Sequence, residues 1–283
     1  MAPLFTNFHF GFGRSVAGTV ITNISATGGN TATNGGYKYH IISSSGNFTL
    51  TENPDNAKFE AFIIAGGGGG GNGGDIWGGG GGAGGALHVG SGAGNGVALN
   101  PGTYPVTIGS GGSNRQQGGT TTLAFPHPMT TDGGGYGGGR NCTNTQDSEP
   151  GGSAGGAGCE GGAGSANQPT KNNPAPAGYN RAQVGGAAHG TNSASGGYSA
   201  KDWMDSAPTN SQVAVLANSP IGEGAIGFPG VAPGNATQSG SGHPAPSAYG
   251  PYPVVYGSGG GGANGTGGTG ASGVCVIRYV WNE

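Results

Sequence analysis

Charge is scarce in this chain, with 9 Lys and Arg and 12 Asp and Glu among 283 residues and a net charge of -3. A surface that tracks phosphates needs clustered cations, so a nucleic-acid partner is not expected. Long apolar runs are also missing. None reaches the ~18–20 residues that cross a bilayer as a helix, so no membrane insertion is expected. The opening Met1-Ala-Pro-Leu-Phe-Thr-Asn-Phe-His-Phe10 has neither a basic region nor a continuous apolar stretch. It reads as no signal peptide, which points to synthesis in a reducing cytoplasm. Cysteine is limited to Cys142, Cys159 and Cys275, an odd number that cannot make a disulfide scaffold. Whether Cys142 and Cys159 pair across their loop is left open, and Cys275, in an apolar run, reads as a buried thiol. No segment carries a defensible amphipathic helical period, so very little helix is expected.

Glycine is abundant, and it comes in bursts. There are 71 Gly and 18 Pro, a level that in aperiodic sequence usually means disorder. Glycine loses the most backbone entropy on ordering, which works against folding. Charge repulsion is absent, however, and no Gly-X-Y period runs through the tracts, so neither a charge-driven coil nor a collagen helix fits. Tracts such as 66–71 and 78–85 have one ordered option. As extended threefold helices of the polyproline-II kind they pack backbone on backbone and hydrogen-bond sideways. A flexible linker has the same composition, and both readings stand at this level.

Between the glycine bursts the sequence is β-like. Tyr37-Lys-Tyr-His-Ile-Ile-Ser43 and Asn47-Phe-Thr-Leu-Thr51, separated by a Ser-Gly turn, read as a hairpin. Lys58-Phe-Glu-Ala-Phe-Ile-Ile-Ala65 ends in a continuous apolar run, the mark of a strand buried on both faces. Ala86-Leu-His-Val89, Gly102 to Ile108 after the Asn-Pro-Gly turn, and Thr120 to Phe125 follow as strands. Val274-Cys-Val-Ile-Arg-Tyr-Val-Trp281 is the most hydrophobic segment and is expected to pair with the early strands. Between 126 and 270 only Gln212 to Ala217 and Pro253 to Tyr256 look like strands. The expected organisation is an N-terminal attachment arm, 1–25, and one glycine-rich β domain, 26–283. A strand frame at 37–125 and 274–281 brackets a glycine-rich insertion at 126–270. The fold class is mainly β, a β-sandwich with polyglycine-II-like tracts and long loops projecting from one end.

The motifs that usually carry chemistry fail on context. A GxGxxG follows the strand 58–65, but more glycine follows it, with no helix to hold a pyrophosphate. No Gly-Lys-Ser/Thr completes a phosphate loop. Gly70 to Trp77 matches one unit of a calcium-binding repeat whose site requires stacked copies. His9, His40, His88, His127, His189 and His243 show no metal-ligand spacing. No Gly-x-Ser-x-Gly elbow sits between a strand and a helix. No catalytic residue, metal or cofactor is therefore assigned, and a non-enzymatic role is expected.

What remains is aromatic. Tyr136, Tyr179, Tyr198, Trp203, Phe228, Tyr249, Tyr252 and Tyr256 punctuate the glycine-rich half. Such rings either plug gaps between glycine helices or stand on loops as stiff contact area for a sugar or apolar ligand. Tyr198 and Trp203, flanked by charge, and Tyr249 and Tyr252, flanked by proline, are the candidate binding residues. Phe8, Phe10, Phe12 and Arg14 form an aromatic arm. It either adds a strand to the domain or docks into a partner subunit.

Ser45-Gly-Asn-Phe-Thr49, Phe62-Ile-Ile-Ala-Gly-Gly-Gly-Gly69, Gly82-Ala-Gly-Gly-Ala86, Leu99 to Gly112, and the close Gly270-Ala-Ser-Gly-Val-Cys-Val-Ile-Arg-Tyr279 occur in this order. Together they resemble the glycine-rich domain proteins of tailed bacteriophages, of the marine and cyanobacterial type. In composition the chain is also similar to phage fibre-tip adhesins with polyglycine helices. The resemblance implies a virion structural protein, a tail-fibre, appendage or tip adhesin component. It would bind a host-surface glycan or protein, attach to other virion proteins through its arm, and form homo-oligomers, trimers by analogy with phage fibres. Two other classes compete: a self-assembling capsid or tail decoration or filament protein, and an ice-binding protein with a flat polyglycine face. Scattered aromatics and the absence of tract periodicity count against ice.

Overall fold

The structure, a computed structural model, describes residues 23–34, 36–71, 80–90, 96–138, 179–181, 225–226, 255–262 and 265–281. No helix occurs among them. Five strands form one sheet in the order β1 (Ser25–Thr27), β4 (Gly46–Glu52), β8 (Gly102–Thr107), β9 (Thr121–Leu123) and β10 (Met129–Thr131). A second sheet runs β11 (Tyr179–Arg181), β6 (Ala86–Val89), β5 (Lys58–Ile64), β14 (Val274–Val280), β3 (Tyr37–Ile42) and β2 (Asn30–Asn34), with β7 (Val97–Ala98) on β5. These pairings are all antiparallel. A separate parallel pair joins β12 (Ala225–Ile226) to β13 (Val255–Tyr256).

The two sheets face each other across a core of alternating side chains, as in-out periodicity dictates. Phe48, Leu50, Val106, Leu123 and Met129 from the five-stranded sheet meet Ile42, Phe59, Ile63, Leu87, Cys275, Ile277 and Tyr279 from the other. The mainly β sandwich expected from the sequence is therefore what forms. The apolar end of β5 is buried on both faces: Phe59, Ala61 and Ile63 point into this core, while Phe62 and Ile64 join Tyr39, Ile41, Val274, Val276 and Tyr256 on the far face. The last strand, β14, lies between β3 and β5, which explains why it is the most apolar segment.

One expectation fails. Residues 37–51 are not a hairpin, because β3 and β4 lie in different sheets. The Ser43 to Ser45 turn arches from one sheet to the other, and the Ser45 hydroxyl accepts the Ile108 amide at 2.9 Å. β3 pairs instead with the preceding β2 and the distant β14, and β4 with β1 and β8. A second crossing, after β4, is pinned by Asn53, whose amide donates to the carbonyls of Ala57 and Leu99, both at 3.1 Å, and accepts from the Ala57 N–H at 2.8 Å. Short strands β1, β2, β7, β10, β11 and β12 were not foreseen; they are polar or too brief to show a period-two signal.

Candidate functional site

At one end of the sandwich the strands do not stop. They run on as glycine tracts: β5 into 66–71, β8 into 109–115, β10 into 132–138, while 80–85, 116–120 and 266–273 lead into β6, β9 and β14. Tract 257–262 follows β13. Tract 66–71 occupies the centre. Its amides take partners in a repeat of three: Gly66 and Gly69 donate to Gly119 and Gln116, Gly67 and Gly70 to Ala271 and Gly268, and Gly68 to Gly82. Its carbonyls do the same with the other three tracts, Gly66 and Gly69 accepting from Gly134 and Gly137, Gly67 and Gly70 from Gly112 and Arg115, and Gly68 from Gly260. Successive bonds thus rotate by a third of a turn, the signature of a polyglycine-II helix.

The six surrounding tracts also bond to one another and close a ring. Gly119 donates to Ser110, Gly118 to Gly134, Gly82 to Gly135, Gly81 to Gly260, Gly268 to Gly261, and Gly270 to Gly112. Six helices around one make a hexagonal bundle. Neighbours around the ring alternate in direction, since 109–115, 132–138 and 257–262 run with the central tract while 80–85, 116–120 and 266–273 run against it. Every peptide group of residues 66–70 is bonded on both its N–H and its C=O, so buried backbone is fully satisfied without side chains.

Only glycine permits this spacing. A Cβ on Gly66, Gly67 or Gly68 would collide with the carbonyl oxygen of Ser110, Ser258 or Gly135, backbone that cannot step aside. Glycine in the tracts is therefore a packing requirement, and the ordered reading of the composition replaces the linker reading for the tracts described here.

The bundle is not uniform around its circumference. Tracts 80–85 and 257–262 are buried throughout, whereas 109–113, 116–120 and 266–273 face solvent. On that open flank exposed side chains recur every third residue, Thr266, Thr269 and Ser272 on one tract, Ser110 and Ser113 on the next, and Gln117 and Thr120 on the third, where Gln116 beside the reversal is exposed as well. All are uncharged. With a rise of ~3.1 Å per residue, neighbours along a tract stand roughly 9 Å apart. The face continues onto the outer side of the five-stranded sheet, where Thr27, Thr49 and Thr103 align across β1, β4 and β8, and Thr107, Thr122 and Thr130 across β8, β9 and β10. Threonine is stiff at χ1, so these hydroxyls and methyls are held in place before any partner arrives.

The bundle's far end carries a chain reversal. Ser113 to Gln116 make it, with Arg115 at φ 55° and the Asn114 side chain accepting the Gly267 amide at 3.0 Å. Residues 72–79 and 263–264 lie outside the described residues.

The sequence-derived binding residues Tyr198, Trp203, Tyr249 and Tyr252, and the arm residues Phe8, Phe10, Phe12 and Arg14, all lie outside the described residues. So do Cys142, Cys159 and the segment 212–217. Of the aromatic set, Tyr256 is buried against the outer face of the seven-stranded sheet, and Tyr136 is half-buried on tract 132–138. The hydroxyl flank was missed in the sequence, although Thr266-Gly-Gly-Thr269-Gly-Ala-Ser272 shows its period of three.

Buried titratable groups are built into the sandwich. Arg278 and Glu60 pair on the outer face of the seven-stranded sheet, and burial raises the Cys275 thiol far above its usual range. A small cleft beside Gly29, Asn30 and Ser43 to Asn47 is lined by hydroxyls and amides without a titratable side chain. No group of three or more His, Cys, Asp or Glu side chains converges among the described residues.

No curated protein matches the chain. Residues 42–280 match the glycine-rich domain, so the chain belongs to the glycine-rich domain family.

Proposed function

We propose that this protein is a non-enzymatic display protein of a tailed-phage virion, a tail-fibre, appendage or tip adhesin component that binds a cell-surface glycan or protein. The observation that carries the reading is the hexagonal bundle itself. It is a rigid pedestal whose described chain reversal, at 113–116, lies at the end away from the sandwich. Loops on such a support bind with little ordering cost, because the scaffold supplies the rigidity. The phage setting rests on the sequence resemblance. In this reading the aromatic loops with Tyr198, Trp203, Tyr249 and Tyr252 make the contact, Phe8, Phe10, Phe12 and Arg14 attach the protein to the particle, and copies assemble as a homo-oligomer.

The test is binding of the purified full-length chain to a panel of bacterial cells, beside a variant with the four loop rings replaced by alanine. Binding lost only in the variant supports the reading. Absence of binding to every strain, with the fold intact by circular dichroism, rejects adhesion.

A second reading has its own observation. The period-three hydroxyls on the open flank give a stiff, uncharged, two-dimensional array, as an ice-binding face requires. Thermal hysteresis decides it: a measurable freezing gap that disappears when Thr266 and Thr269 become lysine supports ice binding, and no gap removes it.

A further inference from the structure

The chain passes from β1 in one sheet to β2 in the other through Gly28 and Gly29, at φ +126° and +63°. There it is squeezed between β4 and β3. A Cβ on Gly28 would strike Asn47 O at 2.5 Å, and one on Gly29 would strike the Ile41 carbonyl. One side chain holds this crossing: His40 Nδ1 lies 2.9 Å from the Gly28 carbonyl oxygen. A carbonyl only accepts, so Nδ1 carries the hydrogen. Nε2 is then the acceptor, and it faces the Tyr279 hydroxyl at 3.3 Å.

The ring is fully buried. Phe48 on β4 meets it edge-on at 5.1 Å, and Tyr279 on β14 stacks with it at 5.8 Å. Its cross-strand neighbours are Thr31 on β2 and Ile277 on β14. The ionisable groups on these packed elements that face it are Tyr279 and, two residues along its own strand, the cation Lys38. Glu60 lies on the opposite face of the sheet, engaged by Arg278. No carboxylate among the described residues balances an imidazolium here.

Protonation would add a second N–H at Nε2, aimed at a hydroxyl that already donates to that nitrogen. The hydroxyl must turn, and an unpaired charge is left between two aromatic rings. The cheapest relief is local. Among the described residues β1, three residues long, pairs with β4 alone, and with Ile24 and Ala26 it contributes little to the core. The other strand pairings and the backbone bonds of the bundle described above do not involve it.

We propose that His40 is an acid-operated latch on the β1–β2 crossing, which in mildly acidic conditions releases Gly28 and β1 and opens the edge of β4 while the rest of the sandwich stays closed. Burial lowers the His40 pKa, so the neutral ring belongs to the closed state. The closed state holds fully above the unfolded value near 6.5. It weakens as pH falls below that, by about tenfold per pH unit until the folded pKa is reached.

Hydrogen exchange on the full chain from pH 7.5 to 5, expressed as protection factors, tests this, together with an NMR titration of His40. The expected result is loss of protection confined to residues 24–27 and 47–52, while 59–64 and 274–280 stay protected, with a midpoint tracking the imidazole signal. In His40→Asn, whose amide keeps a donor towards Gly28 but does not titrate, the dependence should be flat. Protection at β1 that ignores pH, that falls together with β5 and β14, or that keeps its pH dependence in His40→Asn overturns the latch. If His40→Asn does not fold, the wild-type contrast between β1 and β5 still decides.

Discussion

Arg278 and Glu60 stand directly opposite each other on β14 and β5, and one carboxylate oxygen takes both Nη2 at 2.7 Å and Nε at 2.8 Å. Both side chains are almost wholly buried, and the guanidinium also lies 4.4 Å from the Tyr37 ring. Removing one partner strands a buried charge, so Glu60→Ala should cost about 3–5 kcal/mol in urea unfolding. The double change Glu60→Leu with Arg278→Met removes both charges from the same space and should recover most of that loss. A double variant as unstable as the single one would show that the pair adds net stability rather than fixing strand register.

Burial pushes the Tyr279 hydroxyl up to about 12. The neutral phenol is thus favoured in the folded state, whose pKa lies above the unfolded value near 10. Below pH 10 both states keep the proton and stability is unaffected. Above it the unfolded chain ionises first, and stability falls by about 1.4 kcal/mol per pH unit until about pH 12. Unfolding free energies between pH 9 and 12 should show this slope in the wild type and a shallower one in Tyr279→Phe.

Cys275 sits at zero exposure between the sheets with its thiol held protonated by burial. Thiolate is the reactive form, so alkylation of this residue in the native protein should be at least a hundredfold slower than in urea. Peptide mapping after a timed iodoacetamide pulse reads it directly. Fast labelling of Cys275 under native conditions would mean that β14 leaves the sheet far more often than its two-sided burial suggests.

The sandwich was legible in the sequence where burial is one-sided or complete. Lys58 to Ile64 and Val274 to Val280 announce themselves by apolar content, and the Asn-Pro-Gly turn before Gly102 fixes where β8 begins. The last strand was expected against the early ones and does pair with β3 and β5, but the partners of the other strands were not legible. Tyr37 to Ile42 and Gly46 to Glu52 have the spacing of a hairpin, and a serine-rich turn serves an arch as well as a hairpin; only the long-range match of β14 to β3 separates them. The bundle was half legible. Glycine count announced extended tracts, but the seven-helix arrangement depends on backbone bonds between segments as far apart as Gly67 and Ala271, and glycine carries no side chain to report its phase. Thr266, Thr269 and Ser272 did report it, through a spacing visible without any structure.

That phase makes the last prediction sharp. Gly67 and Gly46 are both glycines with ordinary negative or extended φ, but their surroundings differ. A Cβ on Gly67 would meet the carbonyl of Ser258, whereas the nearest atom to one on Gly46 is Ser44 O at 3.9 Å. Gly46→Ala should therefore be neutral, or slightly stabilising through the unfolded chain. Gly67→Ala must push two bonded tracts apart and break the ring around the central helix, a cost above the 1–3 kcal/mol typical of an overpacked core. Thr269→Val, which keeps shape on the open flank, should leave stability within ~0.5 kcal/mol of the wild type. Thermal unfolding of the three variants separates the readings. If Gly67→Ala melts with Gly46→Ala, the tracts are loosely associated and glycine there is composition, not packing. If it alone collapses, each central glycine is a structural contact set by its absent side chain.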